Sequence, residues 1–543
     1  MINYLKNIKK IEILIIILLY SAFLLIGIFS FKDFGVSIDE WELRVHGFVN
    51  LKFILTFLFG TSPIELDNIL EIPELTSYFG AHGAYFAVLI SLIEYLFDIR
   101  EEQKVYFISH FFNYLIFLVA NFYFFLIIKD RFNSYFYGAV GALFLFLSPR
   151  IFAESFYNQK DIVFLSMFLI NTYYALYFLK NPSFKSSIYL SISTALSIDI
   201  RIMGLLLIPI LLFFVFIKNL KSKNNKLLLY TLIYLFIFPI ATVIFWPYLW
   251  NDPLNNLIEA FNIMSNYGVR WGGYNLYFGK YILGSNLPWH YTIVWIFITT
   301  PILYLLLFLY GFFHISLRLK NRFFKITSES KVNDLIMSNN ELTDLFHYLI
   351  FIIPIFLVIS LNSTMYDGWR HLFFIYPSLL YISLKGLNLI NITFFKRKLL
   401  SLFSLIIISL LFISYETFMY HPHQNVYFNL IPGKNVHKNF ENDYWGLSNK
   451  QAFEFLLLNQ KENSIFIGSA GPISLENSKK ILNFEDRNRL VVKPNNEADY
   501  IIDNYRNWFG EYNKKRYKIP NNFKIYKEIS RRGRKIISIY KKS

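Results

Sequence analysis

The chain has 543 residues, 55% hydrophobic and 20% aromatic, with a formal net charge of +16 and no cysteine. Soluble domains do not repeat long uncharged apolar runs along their length, so this is a polytopic α-helical membrane protein. The missing cysteines exclude disulfides, thiol catalysis and thiolate metal sites, without fixing a compartment.

Lys6, Lys9 and Lys10 precede an apolar run over 11–31. That run is too long for a signal-peptide core and has no small-residue cleavage site, so it reads as a retained first helix with its N-terminus in the cytoplasm. Gly35-Val36-Ser37-Ile38-Asp39-Glu40-Trp41 follows directly and sets two adjacent carboxylates just beyond a membrane exit. An acid there is either a solvated loop residue or one put to use. Further apolar runs near 104–128, 135–148, 161–179, 186–200, 202–217, 227–249, 291–316, 345–361, 371–387 and 399–419 bring the expectation to about 11 transmembrane helices. The shorter runs need oblique packing or a thin bilayer.

The run 82–97 decides the topology. If it stays out of the bilayer, Lys129/Arg131, Lys180/Lys185, Lys218/Lys221/Lys223/Lys226, Arg318/Lys320/Arg322/Lys325 and Lys396/Arg397/Lys398 share one side, the positive-inside pattern. If it crosses, order returns only with one long helix over 186–217 that carries Asp199 and Arg201 at its middle, at high cost. We therefore expect 82–97 as a juxtamembrane or re-entrant segment on the outer face, and 197–201 as a tight outer turn. The outer face then collects Asp39-Glu40, the acidic stretch Glu65, Asp67, Glu71 and Glu74, the segment from Pro149-Arg150 to Lys160-Asp161, Asp199/Arg201, the loop 250–290, Tyr366–His371 and His421–Asn425. The inner loops hold mostly lysine, and this segregation points to an outward-facing site.

The stretch 322–344 is polar and reads as a cytoplasmic linker. Residues 1–430 form the transmembrane domain, and 431–543 read as a small soluble α/β domain on the outer face. In it we expect a helix over 448–459 capped by Ser448, strands at 465–467, 490–492 and 500–502, and a terminal hairpin of 523–529 with 536–540. From residue 430 onward there are 22 Lys and Arg against 12 Asp and Glu. On a membrane protein such a surplus meets anionic lipid, so no nucleic-acid partner is expected.

Trp246, Trp250, Trp271, Trp289 and Trp295 surround the 250–290 loop and read as an interfacial belt, with sugar stacking as the other reading. His421 and His423 lack a third ligand nearby, so no metal site is read there.

These residues carry a resemblance. An acidic pair just after the first helix is similar to the first outer loop of the GT-C glycosyltransferases. Family 39 is the nearest, with its protein O-mannosyltransferases and lipid A aminoarabinose transferases. Ser148-Pro149-Arg150-Ile151-Phe152 through Gln159-Lys160-Asp161-Ile162 resembles that family's second acidic loop, with Lys160 where a proline is usual. Leu287–Tyr291, Tyr366–His371 and Tyr427-Phe428-Asn429 look like a bacterial subgroup of it. The resemblance implies sugar transfer from a polyprenyl-phosphate carrier to a hydroxyl or amine of a glycan, lipid or protein acceptor. It implies Asp39, Glu40 and Asp161 as catalytic acids, with room for a divalent cation on Asp39 and Asp161. Such chemistry needs a carboxylate as general base and cations for the departing phosphate. Asp39 is the expected base and Glu40 its support. Lys160, Arg201, Arg270, Arg370 and His371 are the phosphate-binding candidates, each weighed against an interfacial snorkelling role. Asp161 stays open between a site role and a salt bridge to Lys160.

The sequence thus reads as a GT-C-like multi-pass enzyme of the inner membrane with its site on the outer face. The alternative is a non-enzymatic transporter or flippase of a lipid-linked saccharide, which would place ionisable residues at the bilayer midplane.

Overall fold

The computed structural model describes residues 10–60, 72–222, 225–265, 272–324, 336–393, 399–507 and 517–543. Among these, 8 helices are long and apolar enough to cross a membrane, or up to 9 if the bent pair Tyr135–Phe146 and Pro149–Tyr157 is one span. The protein is a multi-pass membrane protein, and among the described residues the spans number fewer than the expected 11. The shortfall has local causes. Phe184–Ile200 has only 17 residues. The 291–316 run breaks before Pro301 but still leaves Ile302–Phe323 to span, whereas Ile406–Tyr420 is among the shorter apolar helices. The 135–157 stretch bends by 68°, where Pro149 takes the first position of a new helix.

Two segments on the site side lie outside the count. Tyr85–Leu96 has 12 residues, about 18 Å at helical rise, which cannot span a core of about 30 Å. It packs on a 22-residue helix, Ile38–Phe59. Arg44 and Glu94 join the two as a buried ion pair, with Nε donating to Oε2 at 3.0 Å. The expected loop around Asp39-Glu40 is therefore the first turn of a helix. The expected acids Glu65, Asp67 and Glu71 lie outside the described residues. The turn expected at 197–201 falls later: Ser197–Ile200 are still helical, Arg201 leaves the helix in extended conformation, and a 3-10 turn, Ile202–Leu206, leads into Leu207–Ser222.

At the lysine-rich end, Ser134, Ser183 and Ser338 N-cap three helices by accepting from backbone N–H groups one turn on. There the expected linker 322–344 proves partly structural. Asn339–Ser360 begins inside it. Buried Asp344 accepts from Arg131 Nε at 2.7 Å, Arg318 Nη1 at 3.2 Å and the Tyr381 hydroxyl at 2.7 Å. One carboxylate thereby ties four helices at the end opposite the site.

The C-terminal part is a five-stranded sheet in the order Leu490–Val492, Ile465–Ser469, Tyr500–Asp503, Arg534–Lys542, Phe523–Arg531. The first three strands are parallel and the last two form the expected hairpin. The helix Asn449–Asn459 follows Ser448, whose hydroxyl serves Asp443. Phe428, Phe440, Tyr444, Trp445 and Leu447 pack into the transmembrane core. The sheet's own core begins at Ala452. Gly35 makes this possible: any Cβ there would strike the Leu447 carbonyl. Of the tryptophans, Trp289 is exposed as a belt residue should be, while Trp246 and Trp295 are buried. Trp246 donates Nε1–H to the Gly80 carbonyl at 2.8 Å. Trp271 lies outside the described residues.

Because the chain lacks cysteine, single cysteines report the two ends cleanly. Replacements at the exposed positions Ser285 and Asn362 should react with an impermeant maleimide from one face of sealed vesicles, and those at Asn133 and Asn340 only from the other. Labelling of all four from one face would refute this layout.

Candidate active site

The two neighbouring acids of the first outer segment face different surroundings because they sit in a helix turn. Glu40, at the third helical position, turns back to the chain. Its Oε2 accepts the Ser37 backbone N–H at 2.6 Å, and its Oε1 pairs with His110 Nε2 at 2.8 Å. It is 1% exposed. The supporting catalytic role expected for Glu40 is thereby replaced by a local one: it closes the helix start and joins it to Glu102–Phe132. Asp39 projects the other way. Its side chain keeps 35% exposure and lies 3.8 Å from Arg370 Nη1. Enclosure by protein pushes its carboxyl above the usual carboxylate range, against the pull of Arg370.

Asp161 is the hub. Asn158 positions it by accepting its backbone N–H at 2.8 Å and donating Nδ2–H to Oδ2 at 3.2 Å. Arg370 Nη1 donates to the same Oδ2 at 2.8 Å, and Arg201 Nη2 pairs with Oδ1. Asp161 is 2% exposed. It does not pair with Lys160; its oxygens face two guanidinia. Lys160 instead sets its Nζ 3.2 Å from His82 Nε2. Both line a small pocket with His46, Gly83 and Gln159. Burial, then the nearby Arg201, pushes the Lys160 amine down to about 7.

Arg370 heads a 3-10 turn, Arg370–Ile375, before Tyr376–Thr393. Its guanidinium lies 4.8 Å from the Tyr366 ring centre and 4.9 Å from that of Trp445, a cation–π clamp that fixes its plane. The His371 ring meets Tyr366 edge-on at 4.5 Å. The structure thus brings together Asp39, Asp161, Lys160, Arg201, Arg370 and His371. It turns Glu40 away, and Arg270 lies outside the described residues. His82, Trp445 and Asp367 were not singled out from the sequence. Asp367 belongs to a stretch already noted, but nothing local to His82 or Trp445 marks them as site residues.

Among the described residues, no group of three or more His, Cys, Asp or Glu is arranged to hold a metal. A divalent cation on Asp39 and Asp161 would have to displace Arg370, so this donor set does not fit one. His421 and His423 diverge: His421 pairs with Asp33 at 2.8 Å, and His423 is buried.

Residues 78–246, just under a third of the chain, match the family model described as dolichyl-phosphate-mannose-protein mannosyltransferase. That segment holds His82, Lys160, Asp161 and Arg201, and over it the GT-C resemblance read from the sequence is met. No curated protein matches the chain. Among solved structures, ArnT from Cupriavidus metallidurans bound to undecaprenyl phosphate aligns at 9% identity over 96% of this chain and 97% of that one, with a TM-score of 0.49. The oligosaccharyltransferase AglB from Archaeoglobus fulgidus, with an inhibitory peptide and a dolichol-phosphate, aligns at 11% identity over 89% and 69%, with a TM-score of 0.46. The zinc and sulfate complex of the Archaeoglobus fulgidus oligosaccharyltransferase aligns at 12% identity over 87% of this chain, with a TM-score of 0.43, and the chain spans 64% of its length. All three TM-scores lie below 0.5.

Asp161→Asn removes a charge that two buried guanidinia share, and breaking such a pair costs about 3–5 kcal/mol. Asp39→Asn, at a part-exposed acid, should stay within about 0.5 kcal/mol of the parent. Denaturation of both purified variants in micelles measures the contrast, and equal losses would refute the division between hub and open acid.

Proposed function

We propose that the protein is a membrane glycosyltransferase that moves a sugar from a polyprenyl-phosphate carrier to an acceptor hydroxyl or amine. The observation that carries this reading is Asp39: a part-exposed carboxylate with raised basicity beside Arg370, itself anchored on a buried acid. Asp39 takes the acceptor's proton as the acceptor attacks the anomeric carbon. The bond from that carbon to the phosphate oxygen breaks, and the phosphate leaves with the electron pair. Arg370, its Nη1 and Nη2 already on Asp161 and Asp367, acts on the phosphate as a fixed positive charge, and Lys160 supplies a second. Arg201 balances Asp161 from behind, and no step passes through a metal. The site end lies opposite the lysine-rich loops, so the positive-inside rule puts the reaction and the sheet domain on the outer face of the inner membrane. The family match over 78–246 supports the class of donor.

Asp39→Asn should lower turnover about 10²–10⁴-fold while donor affinity holds. Glu40→Gln should lose stability and comparatively little turnover, because its carboxylate faces Ser37 and His110. Turnover and donor binding on purified variants test both, and a near-parental Asp39→Asn enzyme would end this reading.

The Lys160 amine sets a pH dependence. It is charged below about 7 and neutral above. A phosphate that uses this charge should bind with level affinity below that pH and progressively more weakly above it. Lys160→Arg should flatten the fall relative to the parent, which titration of polyprenyl-phosphate binding from pH 6 to 9 would measure.

A further inference from the structure

From the sheet itself, Arg506 reaches the site. Arg506 follows the strand Tyr500–Asp503, at the carboxyl end of the parallel part of the sheet. In open α/β sheets that edge is where functional groups are displayed. Here it faces the transmembrane body. Asn504 Nδ2 donates to the Asp443 carbonyl at 3.4 Å, and Arg506 Nη2 donates to Asp367 Oδ1 at 2.6 Å. Arg506 also pairs with Glu441, and its side chain is 2% exposed.

Asp367 connects this arginine to the site. Its Oδ2 lies 3.3 Å from Arg370 Nη2. The residue sits at φ +56°, followed by Gly368 at φ +70°, and its N–H donates to Asn275 Oδ1 at 3.3 Å. Asp tolerates this left-handed backbone better than most residues, and the turn fixes where the carboxylate points. The result is a buried line of alternating charge: Glu441, Arg506, Asp367, Arg370, Asp161, Arg201. Asp39 flanks Arg370 from the open side.

We propose that Arg506 is a positioning residue for the transfer reaction: by sharing Asp367, it keeps Arg370 aimed between Asp161 and Asp39. The inference rests on the function proposed above. Without Arg506, Asp367 keeps Arg370 as its nearby cationic partner. In a low-dielectric site that attraction strengthens, drawing Arg370 off Asp161 and away from the position of the donor phosphate. An Arg506 that only fastened the domain through Glu441 would instead act alike whatever charge Asp367 carried.

Charge removal at Asp367 separates the two roles. The full-length protein, with Arg506→Ala, Arg506→Lys, Asp367→Asn and the Arg506→Ala/Asp367→Asn double variant, is placed in nanodiscs. Undecaprenyl phosphate binding and thermal melting are measured on each. Arg506→Ala should weaken binding about tenfold in the parent background but no more than about twofold when Asp367 is already Asn, the coupling expected of residues in one charge network. Arg506→Lys should fall between the parent and Arg506→Ala. Equal losses in both backgrounds, or no loss in either, would overturn the assignment while leaving the proposed function standing. A parental protein that fails to bind undecaprenyl phosphate would overturn both.

Discussion

One buried carboxylate organises the site. Asp161 opens the helix Asp161–Lys180 and faces Arg201 and Arg370, which come from two other places in the chain. Bringing three charges out of water is expensive, and a buried ion pair often does little more than break even against an apolar replacement. What the arrangement provides is geometry. Arg370 is held at one edge by Asp161, on its faces by Tyr366 and Trp445, and at the other edge by Asp367. A guanidinium restrained on all sides presents a fixed positive charge that needs no reorganisation as charge develops beside it, the condition under which electrostatic stabilisation is most effective.

Three acids of like chemistry take three different tasks from their surroundings. Glu40 is sealed against His110 and the Ser37 N–H, and it joins two helices. Asp161 is sealed against arginines. Asp39 alone of the three keeps substantial exposure, and enclosure with incomplete pairing leaves it more basic than a surface carboxylate. The same physics operates at the opposite end, where Asp344 draws Arg131, Arg318 and Lys385 together. The part-exposed acid beside that cluster, Glu341, is itself paired with Arg322 and lies 3.9 Å from Arg318, so the cluster fastens helices.

The sheet domain is not merely appended to this body. Its leading segment, 440–447, lies inside the transmembrane core and brings Trp445 onto Arg370. Tyr444 donates its hydroxyl to Glu154 Oε1 at 2.6 Å. Lys480 and Arg487 pair with Glu102, and Lys450 reaches the Lys32 carbonyl. Much of the lysine and arginine surplus in the tail thus has partners within the chain, and less of it is left for lipid than composition implied.

Much was legible in the sequence because hydropathy and charge act locally. Each apolar run expected to cross coincides with helix, the 85–96 segment is too short to span, and the lysine loops share one end. The strands of the tail form where the short apolar runs at 465–467, 490–492 and 500–502 and the terminal hairpin were expected. Asp39, Lys160, Asp161, Arg201, Arg370 and His371 stood out because ionisable residues at membrane exits are few and costly. What the sequence left undecided was how neighbouring charges divide. Asp39 and Glu40 differ in role because a helix starts at Ile38 and sends successive side chains in different directions. Asp161 turned to arginines and not to adjacent Lys160 because Asn158 caps its helix start and fixes its direction. His82, Trp445 and Arg506 reach the site from 79, 284 and 345 positions away from Asp161 in the chain. No local pattern encodes such distances, and only the packing of distant segments could bring these side chains together.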